Sequence, residues 1–218
     1  MHLQHSPDTR RTRSATGVIA GGVALATAAY GTWVGLTWYR YGRPAAPRGD
    51  EADPLLDRFM AGYDVVERHS IGVAAPAAVT LAAARDQDLA ASPLVRGIFK
   101  LRELTLGSST RERRSPSGLL DEVLSLGWGV LAETENREIV VGAVTKPWEA
   151  DVVFTPLPAS EFASFHEPGF VKIVWSLRAD PAGPTRSVFR TETRAVATDA
   201  EARGRFRRYW SFVSPGVS

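Results

Sequence analysis

A long uncharged stretch near the N-terminus most constrains what this chain can fold into. From Ser14 to Tyr39 it runs for 26 residues without a charged side chain, and arginines flank it at both ends. At a rise of about 1.5 Å per residue, a helix over this stretch is about 39 Å long, which exceeds the roughly 30 Å hydrocarbon core of a bilayer. We therefore predict a basic N-terminal tail over residues 1–16 and one transmembrane helix over residues 17–39.

Two other interpretations of this stretch are open. A cleaved signal peptide would end at a small-residue site such as Ala26-Thr27-Ala28, and a fully buried helix of a water-soluble domain would also be apolar. The stretch continues beyond that site through Trp33, Trp38 and Tyr39, further than the roughly 7 to 15 apolar residues that a signal needs. Its length therefore favours a retained anchor, and the aromatic residues at its end are typical of a membrane interface.

Small residues recur along one side of the predicted span. Alternating steps of four and three residues place them on one seam of a helix, where a second helix can approach closely. Gly, Ala and Ser make up 12 of the 26 residues, so composition alone also explains part of the pattern. We predict a homodimer through this seam, which consists of Gly17, Gly21, Ala24, Ala28, Gly31 and Gly35.

The rest of the chain, from Pro44 to Ser218, has the size of one domain. It contains 175 residues with a net charge of −2, whereas a nucleic-acid-binding domain is usually basic. The absence of cysteine excludes disulfides, thiol nucleophiles and thiolate metal sites. Its two histidines, His69 and His166, lack the spacing of a metal site, and no phosphate-binding glycine loop is present. The sequence predicts no metal, no cofactor and no nucleic-acid partner.

Composition and periodicity divide this part into a linker and one domain. Residues 40–54, rich in proline, glycine and charge, are predicted to be a tether that lifts the domain, residues 55–218, off the bilayer. The predicted domain opens with a strand, an Ala-rich helix and a second helix beginning at Ser92-Pro93. The later predicted elements are a short helix over 119–126, a hairpin of strands 128–133 and 137–145, a short strand over 151–155, long strands over 171–178 and 186–198, and a terminal helix after the capping box Thr198-Asp199-Ala200-Glu201.

Charged residues on two of these elements are expected to lie in water. On the last strand, Arg190, Glu192 and Arg194 alternate with Phe189, Thr191, Thr193 and Ala195, so we expect the charged face to be exposed. The terminal helix has a basic face, which is either a solvated surface or a contact with anionic lipid, and a solvated surface is the commoner case. This face consists of Arg203, Arg205, Arg207 and Arg208.

The order of elements resembles the helix-grip fold of the START-like superfamily, which includes polyketide cyclases. The resemblance covers about residues 63–213 and rests on the segment Ile71-Gly-Val-Ala-Ala-Pro76 before an Ala-rich helix, and on the helix after the last strand. Residues 63–69, 127–133, 137–144 and 188–193 are similar to an uncharacterised bacterial group of that superfamily. The resemblance implies an α+β fold in which an antiparallel sheet curls around a C-terminal helix, leaving an apolar cavity that in relatives holds lipids, sterols, polyketides or aromatic products.

Residues on one face of the strands are candidates to line such a cavity. Glu67 and His69 share a face with Val65, Ile71 and Val73, so we expect both to point inward, where they would orient a ligand or move a proton. They could equally satisfy each other or lie at a strand end in water. The other predicted ligand-binding residues, which would also serve as plain core, are Trp148, Trp175, Phe189, Thr191, Thr193 and Trp210.

These observations predict a membrane-tethered START-like domain that binds an apolar small molecule or lipid, with no catalysis assumed. One alternative is a cyclase- or dehydratase-type enzyme that uses Glu67 and His69 as an acid/base pair. Another is an interaction module whose interior is filled by side chains. We expect a single-pass protein of the bacterial inner membrane. Three arginines precede the span and three follow it, so the loop charges nearly cancel, and we predict that the N-terminus lies inside.

Overall fold

The computed structural model describes residues 9–86 and 118–214, with the side chains of the first helix described from Leu25 onward. The helix predicted to begin at Ser92-Pro93 lies outside the described residues. The helices are α1 (Thr9–Arg40), α2 (Pro54–Met60), α3 (Ala77–Arg85), α4 (Leu119–Ser125), α5 (Ala159–Phe162) and α6 (Ala200–Val213), with a 3-10 turn at Gly49–Glu51. The strands are β1 (Val65–Val73), β2 (Gly129–Thr134), β3 (Glu138–Thr145), β4 (Val171–Pro181) and β5 (Ser187–Ala197).

The five strands form one antiparallel sheet in the order β1-β5-β4-β3-β2. An α+β fold with an antiparallel sheet and a C-terminal helix is therefore confirmed. The predicted hairpin of β2 and β3 is present, and it turns at Asn136, whose positive φ of 57° asparagine tolerates. The short strand predicted over 151–155 is reduced to a single bridge between Val144 and Thr155.

One face of the sheet, which we call the helix face, is covered by α3, α4 and α6. At one end, Leu81 of α3 and Val123 of α4 form a hydrophobic cluster with Leu177. At the other end, Phe206 of α6 forms a second cluster with Val171 and with further residues of β1 and β5. On β4 the helix face carries the odd-numbered residues, from Val171 to Ala179.

Residues 48–60, which we call the strap, cross the opposite face of the sheet. Leu56, Phe59 and Met60 of α2 form a third cluster with Val140 and Val174. Helix α2 is not among the predicted elements, although its start has a recognisable signal. Asp53 caps it by accepting a hydrogen bond from the amide of Leu56 at 2.8 Å, and Pro54 occupies its first turn.

The part of the predicted tether over residues 40–54 that belongs to the strap packs on the sheet, and the separation of the domain from a bilayer stays a prediction. Arg178 donates hydrogen bonds to the carbonyl oxygens of Asp50 and Ala52, both at 2.8 Å. Arg190 pairs with the Asp50 carboxylate, and Ser176 donates to Asp53 at 3.2 Å. These contacts bind the segment to the strands, so its polar composition serves a packed layer and not a free linker.

The expected exposure of the charged face of β5 is wrong. Glu192 and Arg194 are 5% and 1% exposed, and Arg190 is half-buried, because the strap covers them. Arg194 donates to Glu192 at 2.7 Å, to the Asp57 carboxylate at 2.5 Å and to the Met60 carbonyl oxygen at 2.6 Å. Charge in a strand thus faces a second layer of the protein, in which each cation meets carboxylates and carbonyl oxygens.

Helix α6 is capped one residue later than predicted, by Asp199 instead of Thr198. The Asp199 carboxylate, and not the Thr198 hydroxyl, accepts hydrogen bonds from the amides of Glu201 and Ala202, at 2.7 and 3.0 Å. These bonds, with another from the Gly169 amide, lower the pKa of the Asp199 carboxyl. Thr198 instead donates to the carbonyl oxygen of Phe170 at 3.0 Å, which ties the start of α6 to β4.

Helix α1 is continuous over 32 residues and includes the predicted span over residues 17–39. Part of that span, up to residue 24, has no described side chains. Within the portion of the chain that is described, no helix combines the length and apolarity needed to cross a membrane.

Candidate functional site

Five of the predicted ligand-binding residues form two adjacent rows across the helix face. Glu67 of β1 lies opposite Thr193 of β5, which lies opposite Trp175 of β4. In the next row, His69 lies opposite Thr191, with Leu177 beyond it. Side chains opposite each other on antiparallel strands lie about 5 Å apart, so each row is in contact from strand to strand. We call Glu67, His69, Trp175, Thr191 and Thr193 the central strip.

The other three predicted residues border the central strip. Phe189 lies opposite Ile71 and Ala179 and packs against the cluster beneath α3 and α4. Trp148 and Trp210 pack against the cluster beneath α6. The residues chosen from the sequence therefore lie in one region of the fold, and the strand register gives the order in which they cross the sheet.

The two titratable residues of the strip differ from the expected buried pair. Glu67 is half-buried, and His69 is exposed among the described residues. Both lie on β1, an edge strand of the sheet, where the neighbouring Ile71 is 63% exposed. Two residues apart on one strand face, their Cα atoms are separated by about 7 Å. A carboxylate and an imidazole at this spacing suit two hydrogen bonds to one polar group of a ligand.

A polar cluster on the strap face was missed by sequence reasoning. Glu138 is 6% exposed and lies beside Asp53, itself 2% exposed, with Arg178 nearby. Burial, with a hydrogen bond to Asp53, raises the pKa of Glu138 to about 8. The raised pKa favours the protonated carboxyl of Glu138, which can then donate to the Asp53 carboxylate. The only signal in the sequence is Asp53-Pro54, which marks a helix start but not its partners on β3 and β4.

The cavities on the strap face are small or compensated in charge. One cavity of about 40 Å³, bordered by Arg68, Ser176 and Arg190, has room for little more than a water molecule. A groove of about 570 Å³ lies beside it. Its three arginines, at positions 137, 178 and 190, pair with the single carboxylate of Asp180 at 3.4, 3.0 and 3.0 Å. This face thus has the character of a structural ion-pair layer.

A buried carboxylate joins the end of α1 to the domain. The buried Asp64 carboxylate accepts from the Tyr41 hydroxyl at 3.2 Å and from the Ala197 amide at 3.1 Å, and it pairs with Arg203 at 2.7 Å. Burial and the Asp64 carboxylate raise the pKa of the Tyr41 phenol. One carboxylate thereby links α1, β5 and α6.

The predicted dimer seam lies on a different side of α1 from the α6 contact. At about 100° per residue, Gly31 and Gly35 lie roughly 140° around the helix from the side that carries Tyr30, Trp33 and Thr37. A Cβ added at either glycine meets nothing within 4 Å. The described part of the seam is therefore open, and dimerisation stays a prediction.

The described residues define an α+β protein with a five-stranded antiparallel sheet and a C-terminal helix packed on one face. No protein-family model matches the chain, and no curated protein matches it. Among solved structures, it is similar to the solution NMR structure of a protein from Thermobifida fusca, at 16% identity, covering 70% of this chain and 84% of that chain, with a TM-score of 0.28. It is also similar to the crystal structure of the Mll3558 protein from Rhizobium loti, at 11% identity, covering 70% of this chain and 96% of that chain, with a TM-score of 0.23. Neither likeness assigns the chain a fold family or a function.

Proposed function

We propose that this chain is a membrane-anchored, START-like helix-grip domain that binds an apolar small molecule or lipid at the central strip. The observation that carries the proposal is the position of the strip, between two hydrophobic clusters on the face that α6 covers. The anchor is the uncharged helix over residues 17–39, and the membrane is the bacterial inner membrane. The fold family with its ligand, and the membrane anchor, are both proposals that go beyond the α+β architecture described above.

The chemistry of the strip supports a ligand that is mostly apolar with one polar end. Trp175 offers a half-buried ring, and Thr191 and Thr193 offer methyl and hydroxyl groups beside it. Glu67 and His69 lie at the β1 side of the same two rows. Small-molecule sites commonly combine an apolar lining with a few polar groups that orient the ligand.

Native mass spectrometry of the full chain, purified in detergent, tests the binding proposal. We expect an apolar molecule to co-purify, and we expect Thr193→Trp to lower its occupancy by about tenfold or more, because the indole fills the middle of the strip. Val153→Trp is the matched control, since Val153 is 68% exposed and lies outside the strip. A chain without any bound mass, or equal occupancy in the two variants, would refute ligand binding at the strip.

The anchor is tested separately by membrane fractionation and intact mass. A retained span keeps the full 23.6 kDa chain in the membrane fraction after salt and alkaline washes. A cleaved signal peptide would shorten the chain by about 3 kDa and release the domain. Release of the full-length chain by the washes would also contradict the anchor.

The positions of Glu67 and His69 also allow an acid/base enzyme as a second candidate. If a reaction occurs, Glu67→Gln abolishes turnover while the ligand still binds. If the residues only orient the ligand, Glu67→Gln weakens binding by about tenfold, which corresponds to about 1.4 kcal/mol, and no product forms with either protein. Product analysis of the co-purified ligand distinguishes these two outcomes.

A further inference from the structure

Helices α1 and α6 pack side by side in opposite directions. Near the start of α6, Arg203 contacts Asp64 beside the end of α1, and one turn later Arg207 contacts Trp38. At the end of α6, Ser214 donates to the Thr37 hydroxyl at 3.2 Å and accepts from the Trp33 indole at 3.3 Å. Later residues of α6 thus contact earlier residues of α1, as expected for antiparallel helices.

The last turn of α6 reaches well back along α1. The Tyr30 hydroxyl donates to the carbonyl oxygen of Phe212 at 2.9 Å. Tyr30 lies about 13 Å along the helix axis from Tyr39, where the predicted span ends. If α1 spans the bilayer over residues 17–39, the end of α6, which is bonded to Trp33 and Thr37, lies on the bilayer side of the aromatic boundary at Tyr39.

The side chain of Phe212 points away from both neighbours of α6. It is 61% exposed, whereas Phe206, which faces the sheet, is 2% exposed. At about 100° per residue, Phe212 shares its side of the helix with Glu201, Arg205 and Arg208. Along the helix this side therefore carries an acid, two arginines and finally an aromatic ring, in order of approach to Tyr30.

We propose that the last turn of α6 inserts into the interface of an anionic lipid bilayer, with Phe212 as a second anchor beside α1. The inference rests on the proposed membrane anchor. With two contacts to the bilayer, the domain is docked in a fixed orientation and is not loosely tethered.

The charges around Phe212 fit this partner. Arg208 lies one helical turn, about 6 Å, further from the end of α6, so its long side chain can reach the lipid headgroups while the Phe212 ring lies deeper. Arg40 and Arg43 follow the span, and the Arg43 guanidinium lies 4.4 Å from the centre of the Tyr39 ring. Each basic residue near an anionic surface contributes about 1 kcal/mol, and an aromatic ring favours the same depth.

The docking also fixes the height of the central strip. Helix α6 packs on the helix face of the sheet, on which the strip lies. Because α6 is bonded to both α1 and the sheet, the strip is held at a constant distance from the lipid surface. An apolar ligand leaving the bilayer would then reach the strip without diffusing through bulk water.

Nitroxide depth measurements on the full chain test this inference. The chain has no native cysteine, so a single introduced cysteine is labelled uniquely. Labels are placed by Leu25→Cys in the span, by Phe212→Cys and Arg208→Cys on α6, and by Val79→Cys on α3 as an exposed control far from α6. The labelled proteins are reconstituted in vesicles of phosphatidylcholine and phosphatidylglycerol at a ratio of about three to one.

The expected depths follow a definite order. The label at position 25 is accessible to oxygen and protected from an aqueous nickel chelate. The label at 212 lies at the acyl boundary, and the label at 208 is about 6 Å shallower. The label at 79 is in water. A label at 212 that is as exposed to the chelate as the label at 79, while 25 remains in lipid, would overturn the docking and leave the anchor intact. A label at 25 in water would refute the anchor itself. Protection of 212 from both oxygen and chelate would indicate a protein contact and also overturn the inference.

Discussion

The guanidinium of Arg207 donates two hydrogen bonds to the carbonyl oxygen of Trp38, at 2.7 and 3.1 Å, and lies 4.1 Å from the centre of the Trp38 ring. The last carbonyl oxygens of a helix have no partner within the helix and carry a partial negative charge. A cation from α6 therefore satisfies the end of α1 and holds the two helices together.

Arg207→Gln should lower the free energy of unfolding by about 1 to 3 kcal/mol, because it removes charge-assisted hydrogen bonds and a cation–π contact. Denaturant unfolding of the full chain in detergent micelles measures this change. Arg205→Gln is the matched control on the same helix, since the exposed Glu201 at 2.6 Å is the ion-pair partner of Arg205 among the described residues, and it should cost less than about 0.5 kcal/mol. Equal losses in the two variants would contradict a structural role for the Trp38 contact.

Arg194→Met should be among the most damaging single substitutions in the strap layer. The substitution keeps much of the side-chain volume but leaves Glu192, which is 5% exposed, with Arg68 at 3.0 Å as its remaining ion pair. Removing one member of a buried ion-pair network costs about 3 to 5 kcal/mol. Thermal or denaturant unfolding provides the measurement, with Arg208→Met as the exposed control. A loss below about 1 kcal/mol would show that the strap leaves Arg194 in contact with water.

The proton held by Glu138 should make the folded state less stable as the pH rises. Its pKa is raised from an ordinary value of 4.5 to about 8, so between these values the unfolded chain releases a proton that the folded protein keeps. Stability therefore falls across that window. Glu138→Gln should flatten the fall by on the order of 2 kcal/mol between about pH 5 and pH 8, because the amide donates to Asp53 without titrating.

The control for this effect is Glu135→Gln, which removes an exposed carboxylate in the adjacent turn. It should leave the pH dependence of the wild type unchanged. If the unfolding free energies of Glu138→Gln and the wild type run parallel from pH 5 to pH 8, Glu138 is ionised in the folded protein and the shared proton is excluded.

Gly142→Ala should destabilise the strap face through close packing. A Cβ at position 142 would lie 2.5 Å from Leu131 Cδ1 and 2.8 Å from Phe162 Cε2, and Phe162 is fully buried. Overpacking of this kind costs about 1 to 3 kcal/mol. Gly72→Ala is the matched strand control, since its Cβ meets nothing within 4 Å, and it should be neutral or stabilising by about 0.5 kcal/mol. The same loss at both positions would point to strand backbone effects instead of packing.

Strand positions and side-chain alternation could be predicted from the sequence, but the environment of each face could not. Alternation on β5 correctly separates Thr191 and Thr193 from Glu192 and Arg194. It cannot tell that the charged side is buried, because the residues that cover it are distant in sequence. Asp57, which binds Arg194, is 137 residues away. The same distance hides the partners of Glu138 and the contact between Arg207 and Trp38.

The candidate site was predictable as a set of residues and not as a geometry. A period of two puts Glu67 and His69 on one face, and a second strand does the same for Thr191 and Thr193. The register that aligns Glu67 with Thr193 and Trp175 depends on pairing across three strands. The exposure of His69 depends on β1 being an edge strand, which is a property of the strand order.

The strap has a consequence for how the protein is made. The carbonyl oxygen of Asp50 accepts a hydrogen bond from Arg178, which is 128 residues later in the chain. The Asp57 carboxylate likewise binds Arg194, which is synthesised much later. During synthesis, the apolar side of α2 cannot complete its cluster until β4, which carries Val174, leaves the ribosome. A nascent chain would thus expose these apolar residues for much of its translation.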